Sequence, residues 1–215
     1  MRPAGRGTYH HGALREALVE AAAEVAAEHG VAGFSLRAVA RRAGVSQAAP
    51  YHYFTDKSAL LAAVATEGFE LFDRSQAAAI ANAPADPDER LAALGAAYIR
   101  FALDRPHYFR VMFRPHLVEH ERYPALKAVA DRAFERLVDA VRKARLAHGH
   151  DDTDVVATAT LIWAVPHGLA ALYLDGPTSS WLTPRALELL AQAATAPLTT
   201  APLAEVALGE PNWGV

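Results

Sequence analysis

Apolar positions return every three to four residues along almost the whole chain, and no segment alternates polar and apolar residues long enough to suggest a strand. The pattern predicts an all-α protein of about nine helices. Leu14, Leu18, Ala21 and Val25 form the first stripe, which runs out at His29-Gly30, where glycine can take the left-handed conformation that closes a helix. Ser35 is placed to cap a second helix that turns Leu36, Val39, Ala40 and Ala43 inward and stops at Gly44, where a positive φ is expected. Ser46 is then expected to cap a third, very short helix.

Longer helices follow. Asp56 or Thr55 opens the fourth, through Leu61, Val64 and Phe72. The run Asn82-Ala83-Pro84-Ala85-Asp86-Pro87 breaks it, and Asp86, Pro87 and Glu89 supply an N-cap, a first-turn proline and a capping-box residue for the fifth, with Leu91, Leu94, Tyr98 and Phe101 inward. A short helix spans about 106–113. A long one carries Leu126, Ala130, Phe134, Leu137 and Val141 and ends near Gly149. Thr153 opens the eighth, to about Leu174, and Thr183-Pro184 opens the ninth, which fades near Pro197. Residues 197–215 show no sustained period and read as a largely disordered tail.

The second and third helices, joined by a tight turn at Gly44, have the layout of a helix-turn-helix, in which the second helix lies in the DNA major groove. That helix holds no Lys or Arg and contains Pro50. With Ser46 as cap, Pro50 is the fourth helical residue and forfeits only the first intrahelical bond. Bases can still be read by a glutamine amide against adenine and by alanine methyls against thymine, and phosphates accept from Ser, Tyr and His. Positive charge is available from Arg37, Lys57 and Arg6. Tyr51 is expected at a phosphate, whereas Tyr53 and Phe54 are expected in the core.

Composition changes this picture little. The chain has 215 residues, 52% of them hydrophobic, a formal charge of −3 and no cysteine. This is a soluble globular profile without disulfides or thiolate metal sites, and a reducing cytoplasm fits it. The first 60 residues hold 7 basic against 5 acidic side chains and the remainder 14 against 19, so the basic end is the one with the glycine turn. Nothing in the sequence asks for a cofactor.

Two other patterns compete. His116-Leu117-Val118-Glu119-His120 spells H-x-x-E-H, the inverted zinc-protease motif, but Pro115 and Pro124 bracket it to little more than two turns. Residues 155–174 hold no formal charge over a length that could span a bilayer. Pro166, His167 and Gly168 within the stretch and acidic flanks at Asp152, Asp154 and Asp175 favour a buried helix over a membrane span. Ala157, Thr160, Ala164, Gly168 and Ala171 follow a small-residue line along it that would let another helix approach closely. Tyr98, Phe101, Phe109, Met112, Phe113, Phe134, Trp163 and His167 are candidates to line an apolar cavity with a few polar handles.

From Tyr9-His10-His11-Gly12, through Ala40-Arg41-Arg42-Ala43-Gly44-Val45-Ser46, to Tyr51-His52-Tyr53-Phe54 and Lys57-Ser58-Ala59-Leu60, the sequence resembles the DNA-binding domain of TetR-family transcriptional regulators. Trp163-Ala164-Val165-Pro166-His167-Gly168 resembles the W-x-x-x-H-G signature in the regulatory domain of one subgroup of that family. The resemblance implies a homodimer that binds double-stranded DNA at a palindromic operator, most often as a repressor, and leaves it when a small-molecule effector enters the C-terminal domain. It divides the chain into a helix-turn-helix domain at 1–56 with an arm at 1–11, and a regulatory and dimerisation domain at 57–196. By position it places Ser35 and Arg37 at the backbone or a base, and Gln47 and Ala48 at base edges. Ser46, Tyr51, His52 and Lys57 would meet phosphates. It also implies a four-helix dimer interface from the last two long helices, with Leu187 and Leu190 joining the small-residue line.

Overall fold

The computed structural model describes residues 11–113, 120–151 and 153–195. Eight α-helices and no strand occur among them: α1 (His11–Gly33), α2 (Leu36–Arg42), α3 (Lys57–Asn82), α4 (Pro87–Asp104), α5 (Pro106–Met112), α6 (Pro124–Ala147), α7 (Val155–Asp175) and α8 (Pro184–Ala193). Short 3₁₀ turns lie at Ala49–His52, His120–Arg122 and Pro177–Ser180. The tail beyond 195, the arm before His11 and residues 116–119 of the H-x-x-E-H segment lie outside the described residues.

Side-chain caps set most helix starts where the sequence expects them. Ser35 accepts from the Ala38 N–H at 3.1 Å, Asp56 from Ala59 at 2.8 Å, Asp86 from Asp88 and Glu89 at 3.0 Å each, and Thr183 from Ala186 at 3.2 Å. Each satisfies a first-turn donor that has no partner within its helix. Gly30 breaks α1 with φ 60°, and a last turn follows it to Gly33. α7 starts at Val155, two residues after the expected Thr153, because Thr153 donates its N–H back to Asp151 at 3.0 Å and stays in the turn before the helix.

One apolar core runs from α1 and α2 into the bundle, joining Leu18, Val39 and Phe54 to Leu60, Ile99 and Leu126. A second, smaller cluster lies among α4, α6 and α7 around Leu94, Val141 and Ile162. α7 is the one described helix long and apolar enough to cross a membrane by length and composition. Here it packs against α4, α6 and α8. α8 lies close on α4: a Cβ on Gly95 would meet the Ala191 carbonyl oxygen at 3.1 Å, so glycine permits that spacing.

Candidate DNA-reading turn and effector cavity

The stretch after Gly44 is where the local structure departs from expectation. Gly44 takes φ 69°, as a turn of this tightness requires. The third helix, however, is a 3₁₀ turn at Ala49–His52, and Ser46 does not cap it with its side chain. The reason is a missing hydrogen. In an α-helix started at Ser46, the Ser46 carbonyl would accept from residue 50, and proline has no N–H. That carbonyl accepts instead from Ala49 at 3.0 Å, and the next bonds keep the shorter spacing, Tyr51 to Ala48 at 3.1 Å and Tyr53 to Pro50 at 3.0 Å.

The 3₁₀ turn sorts its side chains sharply. Ala49, Pro50 and Phe54 are buried, and the Arg15 guanidinium lies 5.6 Å from the Phe54 ring centre. Tyr53 is half-buried. Ser46, Gln47, Ala48, Tyr51 and His52 are exposed, with Tyr51 56% accessible. Ser35 and Arg37 are exposed on α2, and the Ser35 hydroxyl, occupied as an acceptor by its cap bond, keeps its proton to donate. Lys57 is half-buried, with its ammonium 5.4 Å from the Phe34 ring centre.

Arg42 fixes α2 against α1. It donates to Glu24 at 2.7 Å and grips Glu28 with both terminal nitrogens. Those bonds hold the Glu28 carboxyl below its ordinary range and push the guanidinium further up. The neighbouring Arg41 is exposed, four residues beyond Arg37 and so on its face of the helix. That spacing was readable in the sequence, yet Arg41 was not singled out.

In the bundle, a cavity of about 60 Å³ opens between α3, α4, α6 and α7. Of the side chains expected to line it, Tyr98, Phe113, Phe134 and Trp163 are on its wall. Phe101, Phe109 and Met112 are buried in the surrounding core instead, Met112 close over Gly68. His167 is off the wall but bonded to it: the Trp163 indole N–H donates to the Tyr98 oxygen at 3.2 Å, and the Tyr98 oxygen lies 2.8 Å from His167 Nδ1. The indole only donates and no other acceptor among the described residues receives the Tyr98 proton, so the hydroxyl donates to Nδ1 and the imidazole carries its own proton on Nε2. Burial pushes the His167 pKa down, keeping the ring neutral, and pushes the Tyr98 phenol up.

The wall also contains a residue the sequence reading passed over. Gln76 of α3 is 5% exposed and faces the cavity. It interrupts the apolar stripe of Phe69 and Phe72 four residues later, a polar residue where an apolar one belongs, and that was the available signal. Below the cavity, α5 packs on α1 and α3, and its Tyr108 hydroxyl donates to Glu67 at 2.8 Å. Phe113, at the end of α5, therefore connects the cavity wall to the helix that touches α1.

The outer face of α7 and α8 divides the residues expected at a dimer interface. Ala164 and Leu190 are exposed, Thr160, Gly168 and Ala171 are half-buried, and a Cβ added to Gly168 would meet nothing within 4 Å. Leu187 and Ala157 face inward. Leu187 is fully buried, since Ala191 of the same helix face sits against Gly95, and Ala157 is also turned inward. Leu161 and Leu172, 44% and 53% accessible, extend the exposed face instead.

The family model for bacterial regulatory proteins of the tetR family matches residues 18–64, and that for the tetracyclin repressor-like C-terminal domain matches residues 91–197. The uncharacterized HTH-type transcriptional regulator YobS of Bacillus subtilis is 31% identical over 99 residues, 46% of this chain and 50% of YobS. The HTH-type transcriptional regulator BetI of Rhizobium meliloti is 40% identical over 80 residues, 37% of this chain and 39% of BetI. The matched segments thus span half or less of these curated relatives. A solved protein of unknown function from Rhodococcus sp. RHA1 is 29% identical with a TM-score of 0.71, over 90% of this chain and 97% of that one. The TetR family regulator PfmR of Thermus thermophilus shares the fold at 22% identity and a TM-score of 0.68, over 85% of this chain and 96% of PfmR. With both the N-terminal and the C-terminal domain of one family matched in order on a single all-helical chain, the protein belongs to the TetR family of bacterial regulatory proteins.

Proposed function

We propose that this chain is a cytoplasmic, sequence-specific DNA-binding transcriptional regulator, a repressor that binds a palindromic operator as a homodimer and is released by a small-molecule effector. The observation that carries this reading is the sorting at the 3₁₀ turn: Ala49, Pro50 and Phe54 anchor it, while Gln47, Ala48, Tyr51 and His52 all face solvent. A turn so anchored presents an amide, a methyl, a phenol and an imidazole together, which suits base-edge and phosphate contacts. Arg37 and Lys57 flank it. Residues 1–56 carry the DNA function on this reading, and 57–196 the regulation.

The second subunit would cover the exposed face of α7 and α8, where Leu161, Ala164, Gly168, Leu172 and Leu190 offer an apolar strip with room for close approach. The effector would enter the cavity beside Trp163 and His167, and the bonding of both to Tyr98 supports placing the chain in the W-x-x-x-H-G subgroup. DNA and effector then favour different separations of the two reading turns. Enzymatic activity is not part of the proposal.

A gel shift with the DNA flanking the protein's own gene tests the reading. A salt-sensitive complex is expected, and its absence there and in a random-site selection overturns the regulator. Gln47→Ala should relax preference at one base position by about 1–3 kcal/mol, whereas Tyr51→Phe should weaken all sequences alike.

A further inference from the structure

The cavity wall has a definite chemical character. None of the described side chains on it is charged. Of its polar groups, the Trp163 N–H and the Tyr98 O–H are both spent within the bonded set that ends at His167. Gln76 is the exception. Its amide nitrogen donates a long 3.4 Å bond to the Leu94 carbonyl. A carbonyl can only accept, which fixes that side-chain atom as nitrogen and leaves Oε1 as the oxygen. Oε1 has no partner among the described residues, on a side chain 95% buried at the cavity wall. That oxygen keeps accessible surface at the cavity, where water or a ligand can reach it, and a ligand that brings a well-placed donor takes the water's place.

Charge and size narrow the class further. His167 is held neutral by burial and Tyr98 keeps its proton, so neither ring next to the cavity offers a counter-charge. A carboxylate or ammonium brought here would lose its water and gain no ion pair. The volume of about 60 Å³ is far below the roughly 300–1,000 Å³ of pockets for drug-sized ligands and below the roughly 150 Å³ of a cavity that takes benzene, so even a single ring must push the walls apart to enter. Phe113 and Phe134 flank Trp163 with ring centres 5.9 and 6.2 Å from it, a setting in which a flat ring finds edge and face contacts.

We infer that the cavity takes a small, uncharged aromatic molecule of about one ring bearing a single hydroxyl or N–H, which donates to Gln76 Oε1 while the ring sits against Phe113, Phe134 and Trp163. This deepens the proposed function and rests on reading the cavity as the effector site. It assigns Gln76 as the residue that selects a donor, and the neutral Tyr98–His167 pair as part of what rejects charge.

The test is calorimetric titration of the full-length chain, without DNA, at neutral pH against benzyl alcohol, toluene, benzoate and benzylammonium, probes of similar size that differ in their polar group. Benzyl alcohol should bind, and benzoate and benzylammonium should bind at least about tenfold more weakly. Gln76→Leu should lower the ratio of benzyl alcohol to toluene affinity by about tenfold, the worth of one hydrogen bond. Gln76→Glu should shift preference toward benzylammonium. Helical circular dichroism checks that the variants fold, and Gln76→Met replaces Gln76→Leu if that one does not. Binding by none of the probes, equal binding of the charged ones, or an unmoved ratio in the folded variant overturns the inference. A gel shift separates the two readings: benzyl alcohol bound in the calorimeter without release of DNA removes its role as effector but keeps the ligand class. No DNA complex at all removes the regulator and leaves the calorimetry standing.

Discussion

Pro50 and Pro166 occupy opposite ends of the molecule and have opposite effects on the helix around them. Pro50 lies within the four-residue turn Ala49–His52, and its missing N–H leaves the start of the reader at 3₁₀ spacing, with α spacing returning at the Phe54 bond to the Pro50 carbonyl. Pro166 lies inside α7, which remains a continuous helix from Val155 to Asp175. The difference is packing. α7 is held by α4, α6 and α8 along its length, so the helix survives with one bond missing and a buried proline ring on the cavity wall. The reader is anchored at Ala49, Pro50 and Phe54 but is too short to be held along the length of a helix, and the local hydrogen-bond deficit decides its shape. The same contrast extends to function: the reader exposes its polar groups, whereas on the cavity wall Trp163 and Tyr98 bond to one another and to His167.

Replacing each proline by alanine tests the comparison most strongly. Pro166→Ala should stabilise the protein by about 1–2 kcal/mol in urea melts, the ~3 kcal/mol cost of a helix-interior proline less the packing of its buried ring. A loss of stability would mean that the ring's packing outweighs the helix defect. Gly44→Ala comes next, destabilising by about 1–2 kcal/mol, because a side chain is placed at φ 69°. It should also weaken every DNA complex through the altered turn. Pro50→Ala returns an N–H to Ser46 and should change stability by less than about 1 kcal/mol. Its larger effect should be on operator preference, as the reader moves toward α spacing, and selection from random DNA would reveal an unchanged preference if the 3₁₀ shape does not matter.

The cavity end adds a pH dependence. His167 has a folded pKa below the 6.5 of the free side chain, because burial disfavours its charged form. Between the lowered value and 6.5 the unfolded chain binds more protons, so stability is complete above pH 6.5 and is lost as pH falls below it. Melting temperature should therefore fall from pH 7 to pH 5, and His167→Phe should flatten that slope. Protonated Nδ1 could no longer accept from Tyr98, so the same change should loosen the wall at Trp163. The smallest effect is expected for Arg42→Met, which removes a surface ion-pair network at α1 and α2 and should alter stability only slightly while reducing the fit of α2 for DNA.

Local chemistry made much of this legible from the sequence. Ser35, Asp56, Asp86 and Thr183 cap the helices they precede, and Gly44 has the positive φ its turn requires. Each depends on a few adjacent residues. Trp163 and His167 were identifiable as a pair, but not the Tyr98 hydroxyl that joins them across 65 and 69 residues of chain. Phe101, Phe109 and Met112 show the limit of pattern reading, since an aromatic or methionine on an inward stripe can equally line a cavity or fill the core beside it. Ser46 differs because Pro50 does more than forfeit one bond: with no N–H to return to the Ser46 carbonyl, the first turn closes at 3₁₀ spacing and leaves the side-chain cap unused.

The sequence by itself determined the helices, most of their boundaries and the family, because periodicity, capping and turn chemistry act over distances of a few residues. It also supplied the uncharged reading edge and the one glutamine in the apolar stripe of α3. Only the tertiary structure decided which faces are inside. It buried Leu187 through the close approach of Ala191 to Gly95, left Leu161 and Leu172 in solvent, and set Gln76 at a cavity wall without a donor. Those outcomes depend on how separate helices meet, and the spacing of helices is fixed by packing between residues far apart in the chain.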